Sequence, residues 1–290
     1  MKLPPFEYAA PSTLQEATEL LARYNGAARP IAGGQSLLPL MAYRLAAPSL
    51  LVDLGRIPGL DRIELRDDGV HVGALVRWCQ IEADERLIYA HPLLREAVKH
   101  IAHYQIRNRG TIGGSLAHAD PAAEMPALAI ACEAEIQIVG SKTKRVVAAK
   151  DLITGPLETA LKPDELIISV RFPSWQPQRR WSFKEFAKRR GDFALGGVAL
   201  HFHEDAQGNA TRVHVGVFGT GGIPARLMAV EYFISGKKID AHLAHAAGAV
   251  TRSEVRVSGD MHASADYRQA LIGTLVERGL VEAAMRAGKE

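Results

Sequence analysis

Apolar residues recur along this chain with two different periods, and the changeovers between them mark most of its elements. In PSTLQEATELLARYNGAARP, residues Leu14, Ala17, Leu20, Leu21 and Tyr24 share one face at helical spacing. Ser12 or Thr13 can cap that helix, because Gln15 and Glu16 each stand three residues beyond one of them, and Gly26 offers a left-handed stop. Short strands are expected near Arg29 to Ile31 and in PSLLVDL, residues 48–54. The alternation of DRIEL, the Asp68-Gly69 turn and VHVGAL predict a hairpin over 61–75. Helical stretches follow around Arg77 to Glu85 and Pro92 to Ile101, the second with Leu93, Leu94, Ala97 and Val98 on one face. PALAIACEAEIQIVG reads as a helix feeding a strand, and DELIISVRFP, residues 164–173, as a strand stopped by Pro173.

Composition shifts at PSWQPQRR, residues 173–180, which marks a domain boundary. Residues 1–175 form one domain, in two parts of roughly 1–55 and 56–175, and residues 176–290 form a second. The second begins with strands in WSFKEFA, GDFALGGVALHFH and RVHVGVFG, the last at 212–219. Helices are expected around Arg226 to Ile234 and Asp240 to Val250. The tail ADYRQALIGTLVERGLVEAAMRAG is strongly helix-periodic, with Arg and Lys near its end to suit the dipole. The fold class is α+β, since no strand–helix alternation is regular enough for a doubly wound sheet.

Composition narrows the field. With 290 residues the chain can bury two cores, and 47% hydrophobic against 23% charged residues is a soluble globular balance. No apolar run reaches about eighteen residues, so no membrane span is expected. The start, MKLPPFEYAAPSTLQEA, holds prolines and a glutamate where a secretion signal needs an apolar segment, which predicts a cytoplasmic protein. Two cysteines, Cys79 and Cys132, rule out a cysteine-ligated iron–sulfur cluster or a four-cysteine zinc site carried by this chain alone. A net charge of +3 gives no reason to expect nucleic acid. The basic patch RRWSFKEFAKRR, 179–190, fits a dinucleotide, a partner subunit or solvent better than a phosphate backbone.

Two glycine-rich segments carry the candidate chemistry: Ala32-Gly33-Gly34-Gln35-Ser36-Leu37 and Thr111-Ile112-Gly113-Gly114-Ser115-Leu116. Glycine pairs let backbone N–H groups converge on an anion with no Cβ in the way, and the hydroxyls beside them add neutral donors. Two such cradles could grip the two phosphates of a dinucleotide; two tight turns are the plainer alternative. Neither is GxGxxG or GxxxxGK[ST], so a Rossmann domain or P-loop is disfavoured. In RNRGTIGGSLAHADPAAEMP, His118 and Asp120 lack a third metal ligand at a convincing spacing, and Ser115 lacks a G-x-S-x-G elbow. No metal ligand and no catalytic acid, base or nucleophile is assigned. Glu124 could accept from ribose hydroxyls. Phe193, bracketed by charge and glycine, reads either as a core anchor or as a flavin-facing ring. Lys184, Lys188, Arg189 and Arg190 could sit beside a reduced flavin or its phosphates, or form a solvated basic face.

In order, AGGQSLLPLM, RNRGTIGGSLAHADPAAEMP and FAKRRGDFALGG resemble the medium, FAD-binding subunit of the molybdenum hydroxylases, of the carbon monoxide dehydrogenase type and more distantly the flavin domain of xanthine dehydrogenase. GGIPAR and SADYRQALIGTLVERGL resemble the same family's C-terminal domain, so the likeness spans the chain. It implies a two-part FAD-binding domain of the vanillyl alcohol oxidase/molybdenum hydroxylase flavoprotein type, followed by a small C-terminal α+β domain with an antiparallel sheet and helices. It also implies that Ala32, Gly33, Gly34, Gln35 and Ser36, with Leu37 behind them, hold the FAD diphosphate from one side. Thr111, Ile112, Gly113, Gly114 and Ser115 hold it from the other. By the same resemblance Glu124 meets a ribose, Ile101 and Leu166 wall the flavin, Lys184 or next Lys188 supplies a basic contact, and Phe193 touches the isoalloxazine.

The resemblance further implies a partner large subunit with a molybdenum–pterin cofactor and a small subunit with two [2Fe-2S] clusters, assembled as a dimer of heterotrimers. Electrons would pass to this chain's FAD and on to an external acceptor. Two readings compete with it: a stand-alone FAD-dependent oxidoreductase, and a non-enzymatic nucleotide-binding assembly subunit. Two departures from the family pattern matter. Gln35 stands where carbon monoxide enzymes often have histidine, which weakens an assignment to that substrate. The cysteine insertion that gives some relatives an extra cluster is missing.

Overall fold

A computed structural model describes residues 2–286. The first part is a small parallel sheet. Strands β1 (Glu7–Ala9), β2 (Ala28–Ile31) and β3 (Leu50–Asp53) stand in the order β1-β3-β2, all parallel. Helix α1 (Leu14–Tyr24) and the short helix α2 (Leu37–Ala42) make the two crossovers. Thr13 is the cap of α1, its hydroxyl accepting from Glu16 N at 3.1 Å, and the helix stops where Asn25 turns left-handed one residue before Gly26. Ala17 and Leu21 then bury against Ala28, Leu50 and Val52.

The second part is an antiparallel sheet under a layer of helices. Strands β4 (Ile63–Arg66) and β5 (Gly69–Gly73) form the hairpin around the Asp67-Asp68 turn. Helices α3 (Trp78–Ala83), α4 (Leu87–Ala90), α5 (Pro92–Val98), α6 (Tyr104–Arg107), α7 (Ile112–His118) and α8 (Glu124–Ala131) come next. Strands β6 (Glu135–Val139) and β7 (Lys144–Ala148), helix α9 (Ala149–Leu152), the minor pair β8 (Ile153–Gly155) and β9 (Glu158–Thr159), and β10 (Leu166–Pro173) complete it. The sheet order is β4-β5-β10-β6-β7. Ile136, Ile138, Val170, Phe172, Val70 and Val72 are buried together on its inner face, the period-two pattern of a sheet covered on one side.

The third part is an antiparallel sheet of β11 (Arg180–Phe186), β12 (Gly196–Glu204), β13 (Ala210–Phe218) and β14 (Ala225–Arg226), followed by α10 (Met228–Ile234), α11 (Ala241–Glu254) and α12 (Ala265–Met285). Ala287, Gly288 and Lys289, the end of the expected tail helix, lie outside the described residues. Alternation divides this sheet sharply. Val198, Leu200, Phe202, Val213, Val215 and Val217 join the core beneath α10, α11 and α12. Ala199, Phe183 and Phe218 belong instead to the core of the second part. Helix α8, buried at every one of its residues, lies between the two sheets, which is why it is apolar all round. Among the described residues no helix is long and apolar enough to cross a membrane.

Arg268 on α12 pins two loops of the third part. Its Nη1 donates to Leu195 O at 2.9 Å and Gly219 O at 2.7 Å, and its Nη2 pairs with Asp260 at 2.7 Å. Arg268→Met should cost about 3 kcal/mol, since two buried carbonyls lose their donor. Urea unfolding of the two chains checks it; equal midpoints would refute it.

Candidate cofactor site

The first glycine segment is an open nest. Leaving β2, the chain passes Gly33, turns left-handed at Gly34 (φ 72°), and enters α2 behind Ser36. The backbone N–H groups of Gly33, Gly34, Gln35 and Ser36 donate to no acceptor among the described residues, and the Ser36 hydroxyl makes no capping bond. Gln35 folds its side-chain amide back onto Gly33 O at 3.0 Å, stiffening the loop. Successive amides around a left-handed residue, at the uncapped start of a helix, concentrate positive potential on one concave spot. Leu37 opens the helix, half-buried behind that spot.

The second segment is built differently. The sequence predicts a turn like the first, yet Gly113 and Gly114 lie in the first turn of α7. Tertiary bonds hold them there: Ile112 N donates to Val76 O at 3.1 Å and Gly113 N to Ala74 O at 3.0 Å. The Thr111 hydroxyl accepts from Gly114 N at 3.2 Å and Thr111 O from Ser115 N at 3.0 Å. The amides at this end are therefore satisfied within the protein. Gly113 faces inward, where a Cβ would come within 2.6 Å of the Ala74 Cβ. Gly114 is exposed, and a Cβ there would meet only Thr111 Oγ1, at 2.9 Å. This side offers a bare surface and the hydroxyl of Ser115, which is bonded to nothing else among the described residues.

The two segments touch. A Cβ on Gly33 would lie 2.0 Å from Arg109 O and 3.0 Å from Gly110 Cα, so backbone meets backbone between the first and second parts of the fold. Gly110 is in turn pressed against Trp78, whose Nε1 lies 2.8 Å from where a Cβ would be. Arg109, Gly110 and Trp78 were not singled out from the sequence; the glycine just ahead of TIGGS was the available signal.

The third part closes on this region at two points. Gly219 N donates to Pro121 O at 3.0 Å, beside the Asp120 turn that leads into Glu124. Gly191 lies so close to the bend at 101–103 that a Cβ would fall 2.4 Å from His103 Nδ1. Arg107 braces the same bend, donating to Ile101 O at 3.2 Å and Ala102 O at 3.0 Å. The loop carrying Lys188 and Phe193 is thus seated beside Ile101. Phe193 is 71% exposed, so the core-anchor reading fails.

Two further candidates have partners of their own within the fold. Lys184 is ion-paired with Glu282 of α12, on the sheet face opposite Glu185. Leu166 is buried in the core of the first part, with Ala17, Leu21 and Leu60.

Glu124 is buried at the start of α8, and burial, with repulsion from Asp120, pushes its carboxyl up to about 7. Glu185 has a side chain only 6% exposed, with Oε2 4.0 Å from His100 Nδ1 and without a hydrogen bond. Burial and the nearby Glu124 push it up to about 8. A carboxyl with a raised folded pKa contributes stability below its unfolded value, and that contribution is lost as pH rises through the folded value. Glu185→Gln should therefore be more stable than the parent at pH 8.5, by on the order of a few kcal/mol, and close to it at pH 5. Thermal melts at the two pH values decide; a constant difference would contradict the assignment.

Residues 4–175 match the family described as the FAD binding domain in molybdopterin dehydrogenase, and residues 181–283 match the CO dehydrogenase flavoprotein C-terminal domain. The chain is 39% identical to the nicotine 6-hydroxylase medium subunit of Paenarthrobacter nicotinovorans, over 99% of this chain and 100% of that one. It is 38% identical to the 6-hydroxypseudooxynicotine dehydrogenase complex subunit alpha of the same organism, over 99% and 97%. Among solved structures it is similar to a chain of quinoline 2-oxidoreductase from Pseudomonas putida 86, with TM-score 0.93, 37% identity and 98% of each chain covered.

Proposed function

Since the chain belongs to the FAD-binding medium subunits of the molybdenum hydroxylases and serves as an FAD-carrying electron-transfer subunit, we propose that its two glycine segments clamp the FAD diphosphate unequally. The nest at 33–36 supplies the hydrogen bonds. Gly114 and Ser115 supply clearance and a hydroxyl, while Thr111, Ile112 and Gly113 fix that wall to the sheet. The observation that carries this is the set of four unpaired amides in a segment whose Gly33 meets the backbone of Arg109 and Gly110, just ahead of the second segment.

Glu124 then receives a ribose, and Ile101, Lys188 and Phe193 border the flavin ring. Lys188 is the better basic contact, because Lys184 is committed to Glu282. Leu166 supports the site from within the core, and Ala32 and Leu37 flank the nest. The first domain carries the cofactor, and the second closes over it. When bound, FAD supplies the redox chemistry, accepting electrons and releasing them to an external acceptor. The chain's own task is to hold it. The molybdenum–pterin cofactor and two [2Fe-2S] clusters belong, on this reading, to a large and a small partner subunit in a cytoplasmic dimer of heterotrimers. Nitrogen heterocycles are the substrates to screen first, given the names of the similar proteins.

Titrating the FAD-free chain with ADP tests the clamp, because ADP carries a diphosphate but no flavin. ADP should compete with FAD, and riboflavin should compete poorly. Riboflavin competing as well as ADP would overturn the assignment.

A further inference from the structure

A chain of rings runs across the seam between α5, α8 and the third sheet. His91 caps α5, its Nδ1 accepting from Leu94 N at 3.1 Å. Its ring packs on Phe172 at 5.1 Å and Trp175 at 4.7 Å. Trp175 meets His201 at 5.5 Å, and His201 stacks on His214 at 4.5 Å. Both of these histidines, His201 through Nε2 at 3.1 Å and His214 through Nδ1 at 2.8 Å, donate to Ala131 O at the end of α8. Arg179 lies 4.4 Å over Trp175 and donates from Nε to His203 Nε2 at 3.1 Å.

These bonds fix the protons. His91 and His203 each use one nitrogen as an acceptor, which therefore bears no hydrogen. His201 donates through Nε2, so its Nδ1 is a bare lone pair. That Nδ1 and His91 Nε2 are both buried without a partner. A second proton on His201 would sit in an apolar site with no acceptor.

The charged groups around the seam make this worse. Arg179, Arg212 and Arg226 face it from the linker, β13 and β14, with the neutral thiol of Cys132 beside them. The anions present, Glu133 after α8 and Glu231 on α10, are already paired with Arg226, at 2.9 Å and 2.5 Å. Both carboxylates that favour a charged His214 are thus shared with Arg226.

We propose that this seam is an acid-sensitive latch, closed while its four histidines are neutral, that holds the C-terminal sheet onto α5 and α8. Burial depresses His91 to about 3 and His201 well below its usual value, and lowers His203 and His214. Bases depressed in the closed form give their full stabilisation above about pH 6.5 and lose it as pH falls toward the depressed values, because the open form takes up the protons. His91 and His201 alone weaken closure about thirtyfold over the first pH unit below that point, and the fall steepens toward about a hundredfold per unit further down. Opening also frees the loops at the ends of β12 and β13, which carry Phe193 and Gly219 (a consequence for the cofactor only if the clamp reading holds).

Hydrogen–deuterium exchange on the full chain at pH 7.5, 6.5 and 5.5, scaled for intrinsic rates, tests the latch. Protection in 198–216 should fall at least about thirtyfold from pH 6.5 to 5.5 while that of 135–139 and 166–172 holds. His201→Phe keeps Ala131 O bonded through His214 and removes one proton site, so its fall should be about fivefold smaller than the parent's. His214→Gln should also respond less than the parent, and the exposed control His242→Phe should match it. Uniform loss across both sheets in the parent would overturn the proposal. So would an unchanged pH response in His201→Phe and His214→Gln. If neither variant folds, the contrast between the two sheets in the parent decides.

Discussion

Gly114→Asp should fold at least as well as the parent chain and purify almost without FAD. The substituted position is the third residue of α7, whose cap is Thr111, so the new carboxylate and the Thr111 hydroxyl would form a capping pair at the positive end of the helix. A new Cβ meets only the Thr111 hydroxyl, and Gly114 is exposed. A small shift of the Thr111 side chain is all that packing requires. The carboxylate would, however, point into the space assigned to the diphosphate. Like charges about 4 Å apart in a partly desolvated site repel by about 4 kcal/mol, enough to weaken binding roughly a thousandfold. The measurement is flavin absorbance per chain alongside the melting temperature. Loss of flavin with an unchanged or raised melting temperature is expected; full flavin occupancy would remove Gly114 from the site.

Gly33→Ala should fail differently. Its Cβ would need the place now held by Arg109 O, 2.0 Å away, and that neighbour is backbone, which cannot rotate aside. The first and second parts of the fold must separate locally, and the nest at 33–36 moves with them. Stability should drop by about 2 to 4 kcal/mol, and FAD affinity should fall as well. Denaturant midpoints and FAD titration together check it. A chain that keeps its midpoint would show that the two segments are not in contact in solution. The pair of variants separates the two roles of glycine here: one lets backbones meet, the other leaves room for a ligand.

The sequence revealed strongly periodic elements and hid those held by distant partners. Helix α1, the hairpin β4–β5, strand β10 and helix α12 follow from local spacing of apolar residues. Helix α2 carries Pro39 in its first turn, where a missing N–H costs little, and no periodicity announces so short a segment. Helix α7 carries two glycines in its first turn, a poor local choice that the carbonyls of Ala74 and Val76 make workable. The two glycine segments were legible as candidates, but their contact was not, because nothing local links Gly33 to Arg109. The alternation in FKEF puts Lys184 and Glu185 on opposite faces. Only the packing of α12 on one side and α5 on the other decides which residue turns toward which. Leu166 shows the same limit. A strand's first apolar residue can face a ligand or a core, and here the core of the first part takes it.

The structure of the FAD-loaded chain is the most direct test of the central claim. The diphosphate oxygens should lie within hydrogen-bonding distance, about 2.7–3.2 Å, of the backbone N–H groups at 33–36 and pass over the bare face of Gly114. A diphosphate bound away from both segments, with those amides still unpaired, would contradict it.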